Sequence, residues 1–374
     1  MKLQISTQEL KKALDAVSHA TASITTTPIL ENILITVNYN SVVFVSNNLE
    51  MAIEYTVSEW VNIDTEWNFS IPSKIFSNYV WLLQDDNLNI ELFSDDSLQL
   101  KSDSWSIKIK WIDASEFPLV PPIQEEVSFD ITGNILKKSI EKTLFSAAEW
   151  NIRPTLAGLY FRVLGKEIIF ASTDSLRLSE YKIIHEKDMN VDFSQIIPSK
   201  TCGAISRMFG DSENINIVSG DNQIAFYTEN TKVYSRLLNG NFPDYSWFFP
   251  ENYNSKAVIN TSDLVAALRK INLISRENNF SIKVSFSTET GLVFDTLETQ
   301  IGEWVLPLVA SIEWDDNIIG INSTFLLDVL NVIDSSHVSM SFEWPLSQIL
   351  ITPVSEDGKK QRWQYRHIIM PLKI

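Results

Sequence analysis

The chain opens with a short strand pattern that leads into an amphipathic helix pattern. Leu10 and Val17 belong to an apolar stripe at helical spacing, so a helix over residues 6–19 is predicted to pack one face on a core. Ser6, followed three residues later by Glu9, predicts a capping box at the start of this helix. Five similar segments predict further helices over residues 73–84, 133–147, 199–209, 261–273 and 323–333.

The six segments form two alternating types that recur along the chain. Each segment begins just after an isoleucine that ends a predicted strand. These isoleucines are Ile5, Ile131 and Ile259 in the first type, and Ile71, Ile197 and Ile321 in the second. Copies of the first type lie 126 and 128 residues apart, and copies of the second lie 126 and 124 residues apart. This period predicts three tandem domains, each internally duplicated.

Proline-containing segments, among them Phe117-Pro118 and Phe242-Pro243, separate the predicted domains. The predicted domains are residues 1–122, 123–250 and 251–374. Between the helices, segments rich in Ile and Val alternate as the strands of antiparallel sheets do. We therefore predict an α+β fold in which each domain packs two helices on antiparallel sheets. Pairing of the end strands with a second copy would close such an array into a ring.

The net charge of −17 argues against a nucleic-acid partner, because phosphate binding needs clustered lysine and arginine. The distribution of charge changes this interpretation. The six predicted helices hold ten basic and five acidic residues, so they carry +5 and the rest of the chain carries −22. The basic residues are Lys11, Lys12, Lys74, Lys137, Lys138, Lys142, Lys200, Arg207, Arg269 and Lys270. They predict a DNA-facing surface within an acidic protein, the alternative being ordinary solvated helix faces.

The composition is typical of a globular protein. Hydrophobic residues make up 44% of the chain, and no apolar run reaches the roughly 20 residues that span a membrane. The N-terminal segment enters a strand pattern directly, so no signal peptide is predicted. Cys202 is the single cysteine, which excludes a disulfide framework. These features predict a cytoplasmic location.

Motifs for catalysis or metal binding are missing from the sequence. The four histidines and Cys202 share no metal-ligand spacing, and neither a Gly-rich phosphate loop nor a G-x-S-x-G motif occurs. Pairs such as Asp85-Asp86 and Asp315-Asp316 lie at predicted strand-connecting turns. We therefore predict a protein that is not an enzyme and needs no cofactor or metal. The enzymatic alternative is a hydrolase or sugar-processing enzyme that uses these turn carboxylates.

Six short motifs, in a fixed order and at fixed spacings, carry a family resemblance. They are Pro28-Ile-Leu-Glu-Asn-Ile-Leu34, Asn48-Leu-Glu-Met51, Ile71-Pro-Ser-Lys74, Thr173-Asp-Ser-Leu-Arg-Leu178, Phe242-Pro-Asp-Tyr245 and Ile369-Met-Pro-Leu-Lys-Ile374. The whole chain resembles the bacterial DNA polymerase III β subunit family, the sliding clamps. The resemblance implies the DNA-clamp fold and a head-to-tail homodimeric ring around duplex DNA. It also implies tethering of the replicative polymerase for processive synthesis, and loading by a clamp loader.

The resemblance further implies a hydrophobic pocket between the second and third domains that receives short partner peptides. The matching positions are Leu156, Thr173, Ser175, Leu176, Arg177, Leu178, Pro243, Trp247, Phe248, Ile369, Met370, Pro371 and Leu372. Two departures from the family pattern occur here. Ser175-Leu176 stands where the family usually has Gly-His, and Ser246-Trp247 stands where it commonly has Arg. They imply a more apolar pocket with a different peptide preference.

Two loops expected near DNA also depart from the family. Ile24 lies where the family often has an arginine, and Trp150 lies where a polar residue is common. Arg153 is kept, so the resemblance adds it to the predicted DNA contacts. These departures keep open a second interpretation, a peptide-binding scaffold of the same fold with weakened DNA tethering.

For the subunit interface, the resemblance points to strand 105–111 of one copy meeting a third-domain strand near residues 297–304 of the other. The predicted interface residues are Trp105, Ile107, Ile109, Leu273, Ile274, Glu298 and Glu303. The isoleucines and Leu273 would form an apolar centre. Lys108 and Lys110 would face the two glutamates as rim ion pairs of only ~0–1 kcal/mol each.

Overall fold

Each of the six isoleucines of the repeat is followed, two residues later, by the start of an α-helix. The computed structural model of the protein describes residues 2–22, 25–94, 96–149, 153–250, 252–298, 302–354 and 362–373, apart from the side chain of Trp314. Within these residues the helices are α1 (Thr7–Ser18), α2 (Ser73–Leu82), α3 (Gly133–Thr143), α4 (Ser199–Met208), α5 (Thr261–Ser275) and α6 (Ser323–Asn331). The spacing of the helices therefore follows the sequence repeat.

The strands lie between these helices. They are β1 (Lys2–Ser6), β2 (Asn32–Asn38), β3 (Ser41–Asn47), β4 (Met51–Val57), β5 (Val61–Ile63), β6 (Trp67–Pro72), β7 (Asn87–Ser94), β8 (Ser97–Lys101), β9 (Ser106–Lys110), β10 (Ile112–Asp113), β11 (Val127–Thr132), β12 (Gly158–Leu164), β13 (Glu167–Thr173), β14 (Arg177–Ile184), β15 (Asp192–Pro198), β16 (Asn214–Ser219), β17 (Gln223–Tyr227), β18 (Thr231–Arg236), β19 (Ser255–Asn260), β20 (Ser281–Ser287), β21 (Gly291–Asp295), β22 (Val305–Leu308), β23 (Ser311–Trp314), β24 (Asn317–Asn322), β25 (His337–Phe342), β26 (Ile349–Val354) and β27 (Trp363–Ile369).

The elements group into two units, each of which combines sequence from two predicted domains. The first unit comprises Met1–Ile135 and Arg207–Leu237, and the second comprises Leu136–Ser206 and Leu238–Ile374. In the first unit, a five-stranded sheet has the order β5-β1-β7-β8-β9. A nine-stranded sheet has the order β10-β6-β2-β3-β4-β18-β17-β16-β11. Antiparallel pairing of β4 with β18, for example Ile53 with Val233, joins strands that are far apart in sequence.

The second unit repeats this plan. Its nine-stranded sheet has the order β15-β12-β13-β14-β27-β26-β25-β19-β23, and its four-stranded sheet has the order β22-β21-β20-β24. Antiparallel pairing of β14 with β27, for example Tyr181 with Tyr365, joins the second predicted domain to the third. This pairing brings residues from opposite ends of the unit to one place.

The cores lie between the helices and the sheets, as the apolar stripes predict. In the first unit, α1 packs against α2 and buries Leu10, Leu14 and Val17. In the second unit, α5 packs against α6, and both contribute to a core cluster that includes Leu268 and Leu326. Burial of such side chains is worth about 1.5–3 kcal/mol each, so these helices are held mainly by packing.

Two details of the predicted elements are wrong. Ser6 lies at the N-terminal cap of α1 but its side chain makes no capping bond. The carboxylate of Glu9 instead accepts a hydrogen bond from Lys12 Nζ at 2.7 Å, so the predicted capping box does not form. The helix predicted over 133–147 ends at Thr143 and is followed by a 3₁₀ turn, Leu144–Ser146.

Among the described residues, no helix is long and apolar enough to cross a membrane. Over the same residues, no group of three or more His, Cys, Asp or Glu side chains is arranged to hold a metal ion. Cys202 is buried, and burial raises the pKa of its thiol, so it is not a reactive thiolate.

Candidate functional site

A cavity of about 410 Å³ opens in the second unit, and we call it the second-unit pocket. Four segments form it: the turn between β13 and β14, the end of β27, the 3₁₀ turn Pro154–Leu156, and the segment 241–248. Its lining residues are Arg153, Thr155, Leu156, Thr173, Ser175, Arg177, Leu178, Asn241, Pro243, Asp244, Tyr245, Trp247, Phe248, Ile368 and Met370. The size and the mixed apolar lining suit a peptide or a small molecule.

The turn between β13 and β14 is fixed by its own side chains. Thr173 Oγ1 accepts a hydrogen bond from the backbone N–H of Ser175 at 3.1 Å. Asp174 Oδ1 accepts from the N–H groups of Leu176 and Arg177 at 2.8 and 2.9 Å. Ser175 has φ 79°, a left-handed conformation that non-glycine residues rarely adopt. The turn is therefore a rigid edge of the pocket.

Arg177 is a fixed cation in the lining of the pocket. Its Nε donates to Asp174 at 2.9 Å and its Nη1 donates to Asp328 at 2.6 Å, while its side chain is only 13% exposed. The guanidinium also lies 4.5 Å from the ring centroid of Phe325. Because a buried charge is tolerated only when it is well paired, these contacts hold the arginine in place.

The segment 242–249 supplies an aromatic wall. Trp247 stacks on Phe248 with the ring centroids 3.7 Å apart, and Trp247 Nε1 donates to the carbonyl of Asp244 at 3.0 Å. Trp247 nevertheless remains 68% exposed. Gln348, the residue just before β26, donates from its Nε2 to the carbonyl of Phe248 at 3.0 Å. This hydrogen bond holds the wall against the sheet. An exposed aromatic on a fixed wall is a suitable contact for an apolar ligand group.

A buried ion pair supports this wall from behind. Arg366 Nε donates to Glu180 at 2.9 Å, and Glu180 is only 4% exposed. The guanidinium of Arg366 lies 3.6 Å from the ring centroid of Phe249. Burial, with the Glu180 carboxylate as a smaller cause, raises the pKa of Tyr245. The phenol therefore stays neutral beside the pocket.

A short chain of buried polar groups crosses the sheet at the β14–β27 pair. Ser146 Oγ lies 2.7 Å from Ser179 Oγ, which lies 2.7 Å from His367 Nδ1. His367 is fully buried, and its Nε2 has no hydrogen-bond partner among the described residues. Burial, and to a lesser degree the charge of Arg177, lowers the pKa of His367 to about 3. The imidazole is therefore neutral at physiological pH.

Most predicted pocket positions lie together, but four do not line the pocket. Leu176 is 54% exposed, and Ile369 is fully buried in the core. The segment of Pro371 and Leu372 runs past the pocket, with the Leu372 N–H donating to the carbonyl of Gly320 at 2.8 Å. Side chains alternate along a strand, so Ile369 points away from the pocket that its neighbours Ile368 and Met370 line.

Besides Arg153, five lining residues were not predicted as pocket residues. They are Thr155, Asn241, Asp244, Tyr245 and Ile368. Ile368 lies two residues before Met370, so strand alternation could have identified it. Arg153, predicted as a DNA contact, also lines the pocket and donates to Ser175 Oγ at 3.1 Å.

The predicted DNA-facing cations differ in their surroundings. The more exposed ones are Lys12, Lys74, Lys200, Arg207, Arg269 and Lys270. Lys11, Lys137 and Lys138 are half-buried. Lys11 donates to the carbonyl of Leu83 at 2.9 Å, and Lys138 lies 3.7 Å from Asp334.

The prediction that Lys142 contacts DNA is contradicted by its surroundings. It is 7% exposed, and its ammonium donates to the carbonyl of Val332 and, at 2.8 Å, to Asp334. A buried and paired ammonium cannot contact a phosphate, so Lys142 is a structural residue. Ile24 and Trp150, which bear on the loop contacts, lie outside the described residues.

The predicted interface residues lie at two different sheet edges. β9 is an end strand of the five-stranded sheet. Near it Trp105 is 66% exposed, Ile107 is half-buried and Ile109 is 6% exposed. Thus Ile109 points mainly into its own unit. α2 also exposes the apolar side chains of Ile75, Trp81 and Leu82, which the sequence analysis did not select.

In the second unit, the strand expected near residues 297–304 begins later. The end strand of the four-stranded sheet is β22, and Glu298 and Glu303 lie before it with exposed side chains. Leu297 has φ 60°, which is incompatible with a regular strand at this position. Leu273 on α5 is 72% exposed and Ile274 is half-buried.

The fold and the pocket together define an α+β protein built from a repeated helix-and-sheet module, with a peptide-sized apolar pocket in its second unit. Three family models match the chain. The DNA polymerase III β subunit N-terminal domain matches residues 1–121, the central domain 130–244 and the C-terminal domain 247–372. The chain belongs to the DNA polymerase III β subunit family. The predicted family and fold class are confirmed.

Relatives of similar length support the same assignment. The β sliding clamp of Bacillus subtilis strain 168 is 27% identical over 95% of this chain and 97% of its own length. The β sliding clamp of Streptococcus pneumoniae serotype 4 is 28% identical over 92% and 93%.

Solved structures have the same fold. The Streptococcus pneumoniae β chain has TM-score 0.94 and 26% identity, with 100% of both chains covered. A Pseudomonas aeruginosa sliding clamp bound to griselimycin has TM-score 0.92 at 22% identity, again with 100% of both chains covered. At that identity, the second likeness concerns the fold.

Proposed function

We propose that this protein is a DNA sliding clamp, a non-enzymatic processivity factor that encircles duplex DNA and tethers the replicative polymerase. The observation that carries this proposal is the match to relatives named sliding clamps over nearly the full length of both chains. The protein would act in the cytoplasm, where replicating DNA is found in bacteria. It would need no cofactor, since its work is binding and retention.

DNA contact would come from the exposed cations of the helices. Lys200, Arg207, Arg269 and Lys270 are exposed, and the rest of the chain is strongly acidic. A ring that moves along DNA needs contacts to phosphates and not to bases, because phosphates look the same at every position. The acidic remainder would keep DNA away from other surfaces.

Ring closure would come from a head-to-tail pair of copies. β9 of one copy would lie beside β22 of the other, since each is an end strand of its sheet. The exposed side chains of Ile75, Leu82 and Leu273 provide apolar area for the same contact. Two such contacts would close a ring of two copies.

The second-unit pocket would receive peptides from the polymerase and from clamp-loader subunits. Its lining of Leu156, Leu178, Pro243 and Met370 favours an aliphatic or aromatic anchor. The paired guanidinium of Arg177 stands beside this apolar surface and would donate a hydrogen bond to a backbone carbonyl or a carboxylate of the peptide. The griselimycin complex of a clamp with the same fold makes that compound a practical probe for this pocket.

The test of the proposed function is retention on closed DNA. The protein would be incubated with nicked circular plasmid, concentrated so that copies close around the DNA, and passed over a sizing column in high salt. We expect co-elution with the circle and release after the plasmid is cut once. An Ile107→Lys variant, designed to prevent ring closure, is the control. Equal loss from circular and linear DNA would contradict encirclement.

The scaffold interpretation is the second candidate. It is favoured by the pairing of several helix cations within the protein, namely Lys12 with Glu9 and both Lys138 and Lys142 with Asp334. A scaffold would bind griselimycin or peptides and would show no retention on circular DNA.

A further inference from the structure

The first unit contains a second, smaller cavity. It measures about 110 Å³, and we call it the first-unit cavity. Met51, Ala52, Leu119, Tyr234 and Arg236 are among its lining residues. It lies where the first predicted domain meets strand β18 and the segment that follows β10, all within the first unit. Neither the sequence motifs nor the proposed function uses this cavity.

The edge of the first-unit cavity is a turn fixed by its own side chains. Asn47 Oδ1 accepts from the N–H of Leu49 at 2.8 Å. Asn48 Oδ1 accepts from the N–H groups of Glu50 and Met51 at 3.1 and 2.8 Å. Leu49 has φ 71°, a left-handed conformation for a non-glycine residue.

This turn is a copy of the turn that forms the second-unit pocket. Leu49 and Ser175 are 126 residues apart, and both have positive φ. The next contact is also repeated. The Arg236 N–H donates to the carbonyl of Glu50 at 2.9 Å, as the Met370 N–H donates to the carbonyl of Leu176 at 2.8 Å. The internal duplication has therefore produced the same turn and the same backbone contact in both units.

The linker aromatics of the two units pack differently. In the first unit, Phe117 is 4% exposed and packs in a cluster with Ile29 and Leu30. In the second unit, the corresponding Phe242 stacks on Tyr160 with the ring centroids 4.9 Å apart.

We propose that the first-unit cavity is a second peptide site, which binds one aliphatic side chain of an extended partner segment. The occupant follows from the size, because an apolar cavity of about 150 Å³ holds a benzene molecule and this one is smaller. It also follows from the rim, where Leu49 and Leu119 are 52% and 87% exposed. The inference rests on the proposed function at one point: the turn of the second-unit pocket is taken to bind peptide, and its copy in the first unit is taken to do the same.

Two methionines allow each site to be observed separately. Met51 lines the first-unit cavity and Met370 lines the second-unit pocket. The full chain would be labelled with ¹³C at the methionine methyl groups, and the two signals would be assigned with Met51→Leu and Met370→Leu. The probes are the capped tripeptides acetyl-Ala-Leu-Ala-amide and, as the matched control, acetyl-Ala-Ala-Ala-amide.

We expect the leucine peptide to shift the Met51 signal at millimolar concentration, and the alanine peptide to leave it unchanged. Leu119→Asp should weaken binding of the leucine peptide, followed at the Met51 signal, by about threefold or more, because it removes apolar contact from the rim. Ala52→Leu should abolish the shift by filling the cavity. Urea unfolding of each variant, with the same number of transitions as the unmodified chain, would show that both units fold.

The proposal is overturned if Met51 does not respond to the leucine peptide, if both peptides act alike, or if Leu119→Asp has no effect. If Met370 responds to griselimycin and Met51 does not respond to the leucine peptide, the second-unit pocket is supported and the first-unit cavity is contradicted. A response of Met51 with no ligand response at Met370 would support the cavity and count against the proposed peptide pocket. The two proposals can therefore fail independently.

Discussion

At the scale of single residues, buried polar groups hold the second-unit pocket in shape. Arg177 is fixed by two carboxylates, Glu180 is fixed by Arg366, and His367 is bonded to Ser179. Each of these groups would be costly to bury alone, and each pair spans the β14–β27 junction or its surroundings. The shape of the pocket is thus tied to the stability of this junction.

Replacement of Arg177 by methionine should destabilise the protein and weaken the pocket. The change leaves Asp174 and Asp328 without their cation, and breaking a largely buried pair costs about 3 kcal/mol. Urea unfolding would measure the loss of stability, and titration with griselimycin, the probe proposed above, would test pocket binding. Arg153→Met is the matched control for stability alone, because Arg153 is exposed although it also lines the pocket; it should change the free energy of unfolding by less than about 0.5 kcal/mol. Equal stability of the two variants would contradict the assigned role of Arg177.

His367 should make the protein less stable in mild acid. Its pKa is lowered to about 3 in the fold, while the unfolded imidazole titrates near 6.5. Below pH 6.5 the unfolded state binds the proton and the native state does not, so the free energy of unfolding falls with pH until about pH 3. The slope is about 1.4 kcal/mol per pH unit, or roughly 2 kcal/mol between pH 6.5 and 5.

Urea unfolding at several pH values in this window would test the slope. The control is His367→Gln, which keeps a polar group opposite Ser179 and cannot titrate. The variant should lose most of the dependence on pH, whatever its stability at neutral pH. A parallel slope in both proteins would mean that another group is responsible.

At the scale of elements, the helices could be predicted from the sequence and one strand of the site could not. The stripe of Leu10 and Val17 identifies α1, because local periodicity alone decides which face is buried. β14 was not predicted, since its buried residues include the polar Ser179 and Glu180. Glu180 is buried because Arg366 pairs with it from a strand 186 residues away. Contacts of that range leave no local pattern.

The same limit applies to the edges of the sheets. The sequence indicated the strand of β9 but placed the opposite strand at residues 297–304, and the structure begins β22 at Val305. The turn at Leu297, where φ is positive, has no glycine to signal it. The capping box failed for a related reason, because Glu9 has a competing partner in Lys12 one helical turn away.

The end strand β9 should control the oligomeric state. Ile107→Lys places a charge in the proposed apolar contact and should yield a monomer of about 42.7 kDa by sedimentation equilibrium. The double reversal Lys108→Glu with Lys110→Glu should leave the dimer largely intact, because exposed ion pairs contribute only ~0–1 kcal/mol. Both lysines already have neighbours in their own unit, Phe93 and Asp96. A dimeric Ile107→Lys protein would remove β9 from the interface.

At the scale of the whole molecule, two opposite charge distributions share one chain. The net charge is −17, yet exposed positions on the helices carry lysine and arginine. The structure divides the cations into those that are exposed, such as Arg269 and Lys270, and those that are held internally, such as Lys142. Sequence counting could not make this division, because the partner of Lys142, Asp334, is distant in the chain. The division can be measured by the salt dependence of DNA binding.

Neutralising the exposed cations should reduce the number of counterions released when DNA binds. Arg269→Gln with Lys270→Gln should lower the slope of log K against log salt on linear duplex DNA by about 1.8, if each residue neutralises one phosphate. Lys142→Gln should leave this slope unchanged and should lower the free energy of unfolding, because Asp334 loses its buried partner. Fluorescence anisotropy over a range of salt would give the slopes, and urea unfolding would give the stabilities. If the slope depended on Lys142 and not on Arg269 and Lys270, DNA would have to contact a different face of the helices.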